Sequence, residues 1–504
     1  MGIPFGSRFP GRRSSGSSCA ATRSAVKIFL GLFPLIFVAF IPLFLVEKYF
    51  SDYRGRNSWK VFGYSFLTFF IFNITTTYWV WHASVGGSIA AFIINSLLMS
   101  LAFILFHKVK RVLGKRRGYF ALIFFWISIE YLHLHWELAF PWLTLGNVFA
   151  TIPEIVQWYE FTGVLGGSIW VLVVNIILFI WWDSEKIKKR FILPCIILLI
   201  PIIISLLLKT EFDEDKTIEV VIVQPNIDSY DESSFNIDTF IALSESKITE
   251  STELLLAPET VLQGRRDENN LIKYSDIDKL LKLQERYPKI NILIGATTIK
   301  NNNVYNSAIF MSKDKNPIFH HKTKLVPGAE SIPYPAIFNR FKNLLSVELD
   351  GAVGHYTKGK DITVFRNEKV DILPLICYES VFGDVITGKK SNIIAIITND
   401  GWWRNTAGHK QHFQYARLRA IEQRKSVVRS ANTGISGIIH PNGKVIEKTN
   451  WEEEIAINVK VPLNDKVTFY NRYGDYIGRI FSFIAVLLLL SSFVKKRIKK
   501  IPTS

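Results

Sequence analysis

Cysteine and methionine are scarce in this chain, at three residues each in 504. Cys19 falls in a basic tail, Cys195 in an apolar run and Cys377 far from both, so no disulfide framework can be drawn. Any thiol chemistry must therefore rest on a single side chain. A glycine-rich loop able to cradle phosphate is missing as well: Gly86-Gly87 and Gly166-Gly167 lie in apolar stretches, where close helix packing accounts for them. His409-Lys-Gln-His412 sets two imidazoles at i and i+3 without a nearby third ligand, a spacing typical of surface or capping histidines. Neither a metal nor a cofactor is expected. Acidic residues are few outside one segment. Residues 209–475 hold 35 basic and 35 acidic side chains, so the whole formal excess of +17 belongs to the remainder. Those cations flank apolar runs, where membrane topology and anionic lipid explain them, and no nucleic-acid partner is expected.

Apolar residues are plentiful. A hydrophobic fraction of 49% with 38 phenylalanines is high for a wholly soluble chain. Residues 1–24, rich in Gly, Ser and Arg without an apolar period, read as a disordered basic tail. Within 25–208, apolar runs at 26–46, 59–81, 84–106, 119–134, 163–182 and 191–208 each approach the ~20 residues that cross a bilayer. A further run at 476–494 lies in a C-terminal segment, 476–504, that ends in a basic tail. Six cations between 108 and 117, four between 186 and 190 and five between 495 and 500 mark cytoplasmic ends. That alternation places 209–475 outside, on the face of the membrane away from the cytoplasm. It also puts the basic N-terminus outside, against the usual charge rule, which points to a further helix or a hairpin divided at Pro34. Between two runs, His135-Trp-Glu-Leu-Ala-Phe-Pro-Trp-Leu-Thr-Leu-Gly146 is aromatic and broken by Pro141, a composition suited to headgroup depth.

In 209–475 short Val/Ile/Leu-rich runs, among them 218–223, 254–256, 292–294, 372–376 and 393–397, alternate with helical stretches at 277–287 and 411–423. The rhythm is that of an α/β domain whose sheets are covered by helices, with Asn442-Gly443 as a hairpin turn. Three stretches end in chemistry. Leu254-Leu-Leu-Ala-Pro-Glu259 carries a carboxylate past a strand end, and Leu373-Pro-Leu-Ile-Cys-Tyr-Glu379 delivers a thiol to a sheet edge with an acid two residues on. His321-Lys-Thr-Lys-Leu-Val-Pro-Gly-Ala-Glu330 sets a lysine eight residues before a glutamate. A lone cysteine is more often an inert buried hydrophobe, but a thiol that attacks needs a base and a cation, and the companion stretches offer both.

An acid after an apolar strand and Pro, a Lys in Lys-x-x-Leu-Val-Pro, and Cys-Tyr-Glu, in that order, resemble the nitrilase superfamily with its Glu-Lys-Cys triad. Apolar spans on both sides of such a domain, with Lys322 to Glu330 and Asn399-Asp-Gly-Trp-Trp403, make the chain similar to the apolipoprotein N-acyltransferase family. The resemblance implies a four-layer α-β-β-α sandwich beside a polytopic α-helical membrane domain. It implies Glu259 as general base, Lys322 as the cation for thiolate and oxyanion, and Cys377 as nucleophile. Glu330 then orients Lys322, Glu379 stands behind the site, and the Tyr378 amide is a natural second oxyanion donor. Phe140 and Trp142, in a Phe-Pro-Trp loop like that at the family's lipid entrance, are expected to meet substrate. Tyr305, Asn306, Asn399 and Trp402 also match family positions and are expected to shape the pocket. Departures fall at Ala139, at Gly328-Ala329, where Phe-Gly is usual, and at Gly401-Trp-Trp403, where Ala-Trp-Phe is common.

The implied reaction moves a fatty acyl chain from a phospholipid, through a cysteine thioester, to the amine of a diacylglyceryl apolipoprotein, carried out by a monomer in the membrane. A membrane-anchored amidase hydrolysing a small C–N substrate shares the triad but needs no aromatic lipid entrance. A silent scaffold shares only the fold, and retention of all three residue types argues against it.

Overall fold

Long apolar sequence becomes long helix in the computed structural model, which describes residues 33–52, 57–183, 192–208, 215–229, 235–338 and 356–498. The tail expected at 1–24 and the start of the first apolar run, 26–32, lie outside them. The 3-10 turn Phe33–Phe37 leads into α1 (Ile41–Asp52), followed by α2 (Ser58–Thr77), α3 (Val85–Leu113), α4 (Ala121–His135), α5 (Val164–Asp183) and α6 (Ile192–Leu207). Asn57 and Ser84 start α2 and α3, their side chains accepting from the amides of Lys60 and Gly87.

Among the described residues four stretches are long and apolar enough to cross a membrane: Phe33–Asp52, Val85–Leu113, Val164–Asp183 and the C-terminal helix Tyr476–Ile498. The remaining runs also form helices, but α2 is diluted by Lys60, Asn73 and three threonines at 75–77, and α4 and α6 have only 15 and 16 residues. Large apolar side chains on these helices, including Leu67, Ile71, Ile93, Leu97, Phe483 and Leu490, point outward. Water makes such a surface costly and lipid makes it ordinary, so this is a membrane domain. Inside, Phe40, Phe44, Phe69, Phe103 and Trp126 pack into one aromatic core. A Cβ on Gly167 would lie 1.8 Å from the Tyr159 hydroxyl and 3.0 Å from Gly146, so this glycine does serve close packing. Gly87 serves another end, since it faces a cavity.

The segment between α6 and the C-terminal helix folds as two sheets. The first holds β1 (Thr217–Gln224), β2 (Thr252–Leu256), β3 (Leu262–Asp267), β4 (Asn291–Lys300), β5 (Asn303–Met311), β6 (Ile318–His321) and β13 (Ile455–Pro462), in the order β13-β1-β2-β4-β5-β6. The second runs β12-β11-β10-β9-β8-β7, built from β7 (Phe365–Arg366), β8 (Asp371–Ile376), β9 (Ile393–Thr398), β10 (Ser426–Ala431), β11 (Gly437–Ile439) and β12 (Val445–Lys448). The central strands are parallel and uniformly apolar because both faces are covered. One face of each, with Val220, Leu254, Ile372 and Ile397, meets the other sheet. The opposite face of the first sheet is covered by α7 (Ile237–Glu245) and α8 (Ser275–Arg286) through Phe240, Leu280 and Leu283. On the second sheet the cover is α9 (Ala407–Gln423), through Phe413, Ala416 and Ala420. The layers are therefore α-β-β-α, the nitrilase-like sandwich.

Helix α9 also belongs to the membrane side. Tyr415, Leu418 and Ile421 pack into the apolar helices, so α9 is buried on two faces and shows no polar stripe. It ends at Arg424 in the left-handed conformation (φ 52°), and the buried guanidinium reaches Glu160 at 2.9 Å and Gln157 at 2.5 Å. Glu422 accepts from the amide of Val164, the first residue of α5, at 3.1 Å. Gln157 also donates to the carbonyl of Asn442 in the β11–β12 turn, so the expected hairpin tip doubles as a docking point. These ties fix the sandwich on the helices and set the orientation of its sheet edges toward α3.

Candidate active site

Glu259 sits where the edge of β4 changes partners. Residues Leu254 to Leu256 pair with Asn291 to Leu293, Leu262 onward pairs with Ala296 onward, and the intervening turn passes Thr260 at φ 48°. The turn lies directly on Gly295, where a Cβ would come within 2.6 Å of the backbone at Pro258, Glu259 and Thr260. No side-chain rotation relieves contacts with backbone. Gly295→Ala is therefore expected to push the Glu259 turn outward by about 1 Å and to cost about 10²-fold in turnover, with a circular dichroism spectrum like that of the parent. Turnover within threefold of the parent would show that the turn adapts.

The lysine lies just past β6, its backbone held by Asn306 O and by the amide of Gly359, both at 2.8 Å. Lys322 is 1% exposed, and its Nζ donates to Glu259 Oε1 at 3.0 Å and to Glu330 Oε1 at 2.7 Å. Asn306 Nδ2 bridges the same two acids at 2.7 and 3.1 Å, while Glu259 Oε2 accepts from the amide of Asn399 at 3.1 Å. Burial alone pulls the ammonium down, but the charges of Glu259 and Glu330 outweigh it and hold Lys322 well above the ordinary lysine range.

Cys377 ends β8 and opens a 3-10 turn, Cys377–Val381, in the left-handed conformation at φ 49°. A non-glycine residue there is strained, and the strain is held from both sides. Glu379 Oε2 accepts from the amide of Ile376 at 2.8 Å, and Ser380 Oγ donates to the Cys377 carbonyl at 2.7 Å. Burial pushes the Cys377 thiol far up, the charge of Glu259 adds to it, and Lys322 only partly opposes both. The resting sulfur is therefore a neutral thiol. Its activation requires an acceptor for the proton; of the two acids whose charge raises it, Glu259 and Asp400, Glu259 acts more strongly and lines the same cavity. Burial also lifts Glu379, but His320 at 3.1 Å and the two donors of Thr323 more than offset it and keep the carboxyl below its ordinary range.

A cavity of about 610 Å³ begins at Glu259, Lys322 and Cys377 and extends to Gly87, Ala91 and Ile94 on α3. Its size is that of a site for an elongated organic ligand. Phe140, Trp142, Asn306 and Trp402 all line it, together with Gly328 and Ala329, two of the positions that depart from the family pattern. Trp142 is nearly buried, its ring 4.8 Å from Trp79 and 5.5 Å from Trp403. Tyr305 and Asn399 stand outside the lining. The Tyr305 ring stacks 3.9 Å from that of His321, and Asn399 turns its side chain to Ser229 at 2.9 Å while its amide holds Glu259. Tyr378 anchors the aromatic loop, its hydroxyl donating to Ala139 O at 2.6 Å.

His409 and His412 are buried, contrary to the surface position their spacing suggests. His412 joins Asp400, Arg429 and Ser380 behind the cysteine, a group the sequence reading missed. Among the described residues His135, Asp384 and Asp475 also converge, with ligating atoms within 4.8 Å of one another. There Lys324 Nζ already stands 3.6 Å from Asp384 and supplies the compensating positive charge.

A nitrilase-like sandwich whose Glu, Lys and Cys share a cavity with apolar helices defines a class, that of carbon-nitrogen hydrolase-fold enzymes joined to a membrane domain. Residues 219–466 match the Carbon-nitrogen hydrolase family, and residues 19–177 match the Apolipoprotein N-acyltransferase N-terminal domain. Similar whole proteins are the Apolipoprotein N-acyltransferase of Chlorobaculum tepidum, 27% identical over 92% of each chain, and that of Rickettsia prowazekii, 25% identical over 90% of this chain and 95% of the other. Apolipoprotein N-acyltransferase 2 of Treponema denticola is 27% identical over 88% of this chain and 90% of its own. Both matches and the similarity over about nine-tenths of the chain make it similar throughout to apolipoprotein N-acyltransferases, and its enzymatic class is N-acyltransferase.

Proposed function

We propose that this protein moves a fatty acyl chain from a glycerophospholipid, through a thioester on Cys377, to the α-amino group of a diacylglyceryl-cysteine lipoprotein. The observation that carries the reading is the cavity, which joins a buried thiol to the flank of a membrane helix. A soluble amide substrate needs no such extension, whereas an acyl chain arriving from the bilayer does.

In the first half-reaction Cys377 passes its proton to Glu259 and Sγ attacks the ester carbonyl. Negative charge gathers on the carbonyl oxygen, where Lys322 Nζ and the Tyr378 amide stabilise it. The ester C–O bond then breaks, the lysophospholipid oxygen takes the proton from Glu259, and the thioester remains. In the second half the lipoprotein amine attacks that carbonyl and gives a proton to Glu259. The C–S bond breaks, the amide forms, and the thiolate is reprotonated. Glu330 keeps Lys322 in place throughout. Burial of the cavity among Trp142, Trp402 and Trp403 favours the amine over water at the second step. The enzyme works as a monomer in a bacterial inner membrane, with residues 209–475 on the periplasmic side, where both lipid substrates present their head groups.

Intact mass spectrometry after incubation with phosphatidylethanolamine tests this. The parent is expected to gain one fatty-acyl increment, absent from Cys377→Ser and discharged by a diacylated lipopeptide. An increment lost equally fast to water alone would favour the hydrolase.

A further inference from the structure

The buried group behind the nucleophile has a geometry that the acyl-transfer scheme does not use. We infer that Asp400, His412 and Ser380 form a positioning relay that grips the carbonyl of Cys377 and thereby aims and polarises the Cys377–Tyr378 peptide, whose N–H serves the oxyanion. The inference rests on the reading of Cys377 as an acyl-accepting nucleophile.

Proton placement follows from the distances. Ser380 has one hydroxyl hydrogen, and it goes to Cys377 O at 2.7 Å. The Ser380 oxygen is then free only to accept, and the atom facing it at 2.8 Å is His412 Nε2, which also lies 3.2 Å from Cys377 O. A Ser380 hydrogen given to Nε2 instead would leave the Cys377 carbonyl without a donor from either residue, so the arrangement that satisfies it has the hydrogen on Nε2. Across the ring, Nδ1 is 2.9 Å from Asp400 Oδ1 and 3.0 Å from Arg429 Nη2. With a hydrogen on Nε2, a neutral ring accepts at Nδ1 from Arg429 and an imidazolium donates from Nδ1 to Asp400, so both of these ring states fit, whereas the neutral Nδ1–H tautomer has no hydrogen to give at Nε2. Asp400 is itself fixed, by Arg429 at 2.7 Å and by Thr398 Oγ1 at 3.0 Å, and burial is outweighed by Arg429 and His412, so that it stays ionised. Asp400, His412 and Arg429 have no exposed surface, so no water substitutes for a lost partner.

Two donors on one carbonyl do two things. They hold the peptide plane that follows a strained residue, and they withdraw electron density from it, which makes the next N–H a better donor. Asp400 also adds to the field that raises the thiol, but the bonds of Ser380 and His412 go to the carbonyl, so removing either one acts on the oxyanion far more than on the sulfur. That separation can be measured.

The experiment compares the parent, His412→Leu, His412→Gln and Ser380→Ala, each purified as the full chain in detergent. The probe is p-nitrophenyl octanoate, an activated ester whose attack by Cys377 needs the oxyanion donors but no phospholipid. The burst of p-nitrophenolate is expected to slow by about 30-fold in His412→Leu and about tenfold in Ser380→Ala, somewhat less than loss of a direct oxyanion donor. Alkylation of Cys377 by iodoacetamide, which forms no oxyanion, should stay within threefold of the parent in all three variants. His412→Gln, which restores an N–H near the position of Nε2, should recover at least fivefold over the leucine variant. A burst within threefold of the parent in both His412→Leu and Ser380→Ala would overturn the relay. So would burst and alkylation falling in proportion, or a glutamine variant no faster than leucine. Failure of the phospholipid to load a parent that gives a normal burst would overturn the acyl donor and leave the relay standing.

Discussion

Cys377→Ala is expected to give a folded protein whose acyl transfer is lower by about 10⁴-fold or more, as when a covalent nucleophile is removed from an enzyme that depends on it. The fold should survive because the change deletes one atom from a cavity wall and leaves every described tie of the turn in place. The bond from the Ile376 amide to Glu379 and that from Ser380 to the residue 377 carbonyl both use main-chain groups and not the side chain at 377. Alanine at φ 49° carries much the same backbone strain as cysteine, so the thermal midpoint should move by no more than a few degrees. Cys195→Ala is the internal control. That thiol is exposed on α6, among side chains that face lipid, and its loss should leave turnover within twofold. Acyl transfer to a diacylated lipopeptide, measured beside a melting curve for each variant, decides the matter. Equal loss in both would mean that Cys377 is not the acyl carrier.

The sequence carried the three motif ends because each is local. A Pro before Glu259, a lysine eight residues before Glu330 and a Cys-Tyr-Glu at the close of an apolar strand can each be seen in ten residues, and the sandwich brings their side chains to one cavity. The resemblance also supplied the four-layer order, which alternation of runs could not choose. What stayed hidden is whatever depends on distant packing. His412 and Asp400 are 12 residues apart and meet Arg429 only because β9, β10 and α9 lie together, so the i, i+3 histidine pair looked like surface. Helix α9 conceals its second buried face for the same reason: Arg419 and Glu422 pair at 2.8 Å out of reach of water, with Glu422 also held by the first amide of α5. Tyr305 and Asn306 show the limit of motif transfer. Adjacent residues of a strand point to opposite faces, so only Asn306 reaches the acids and Tyr305 stacks on His321.

Lys322→Met should be the most disruptive single change at the site. The ammonium is enclosed, and it is the cation that both Glu259 and Glu330 hold, at 3.0 and 2.7 Å. Methionine fills a similar volume but leaves the buried Glu259 and the part-buried Glu330 facing one another across the Asn306 amide, which already serves both. Breaking a buried ion pair from one side costs about 3–5 kcal/mol, because the remaining charge is stranded away from water. The loss of stability and the loss of activity then have different causes, and a second substitution separates them. Adding Glu330→Gln removes one stranded carboxylate, so the double variant should regain a large part of the melting temperature lost by Lys322→Met alone. It should regain no turnover, since the positive charge that meets the developing oxyanion is still missing. Glu330→Gln by itself should melt close to the parent and turn over more slowly, with Lys322 still held by Glu259. Recovery of activity in the double variant would show that Lys322 serves only to neutralise its neighbours, and the electrostatic role given to it at the thioester would have to pass to the backbone donors around Cys377.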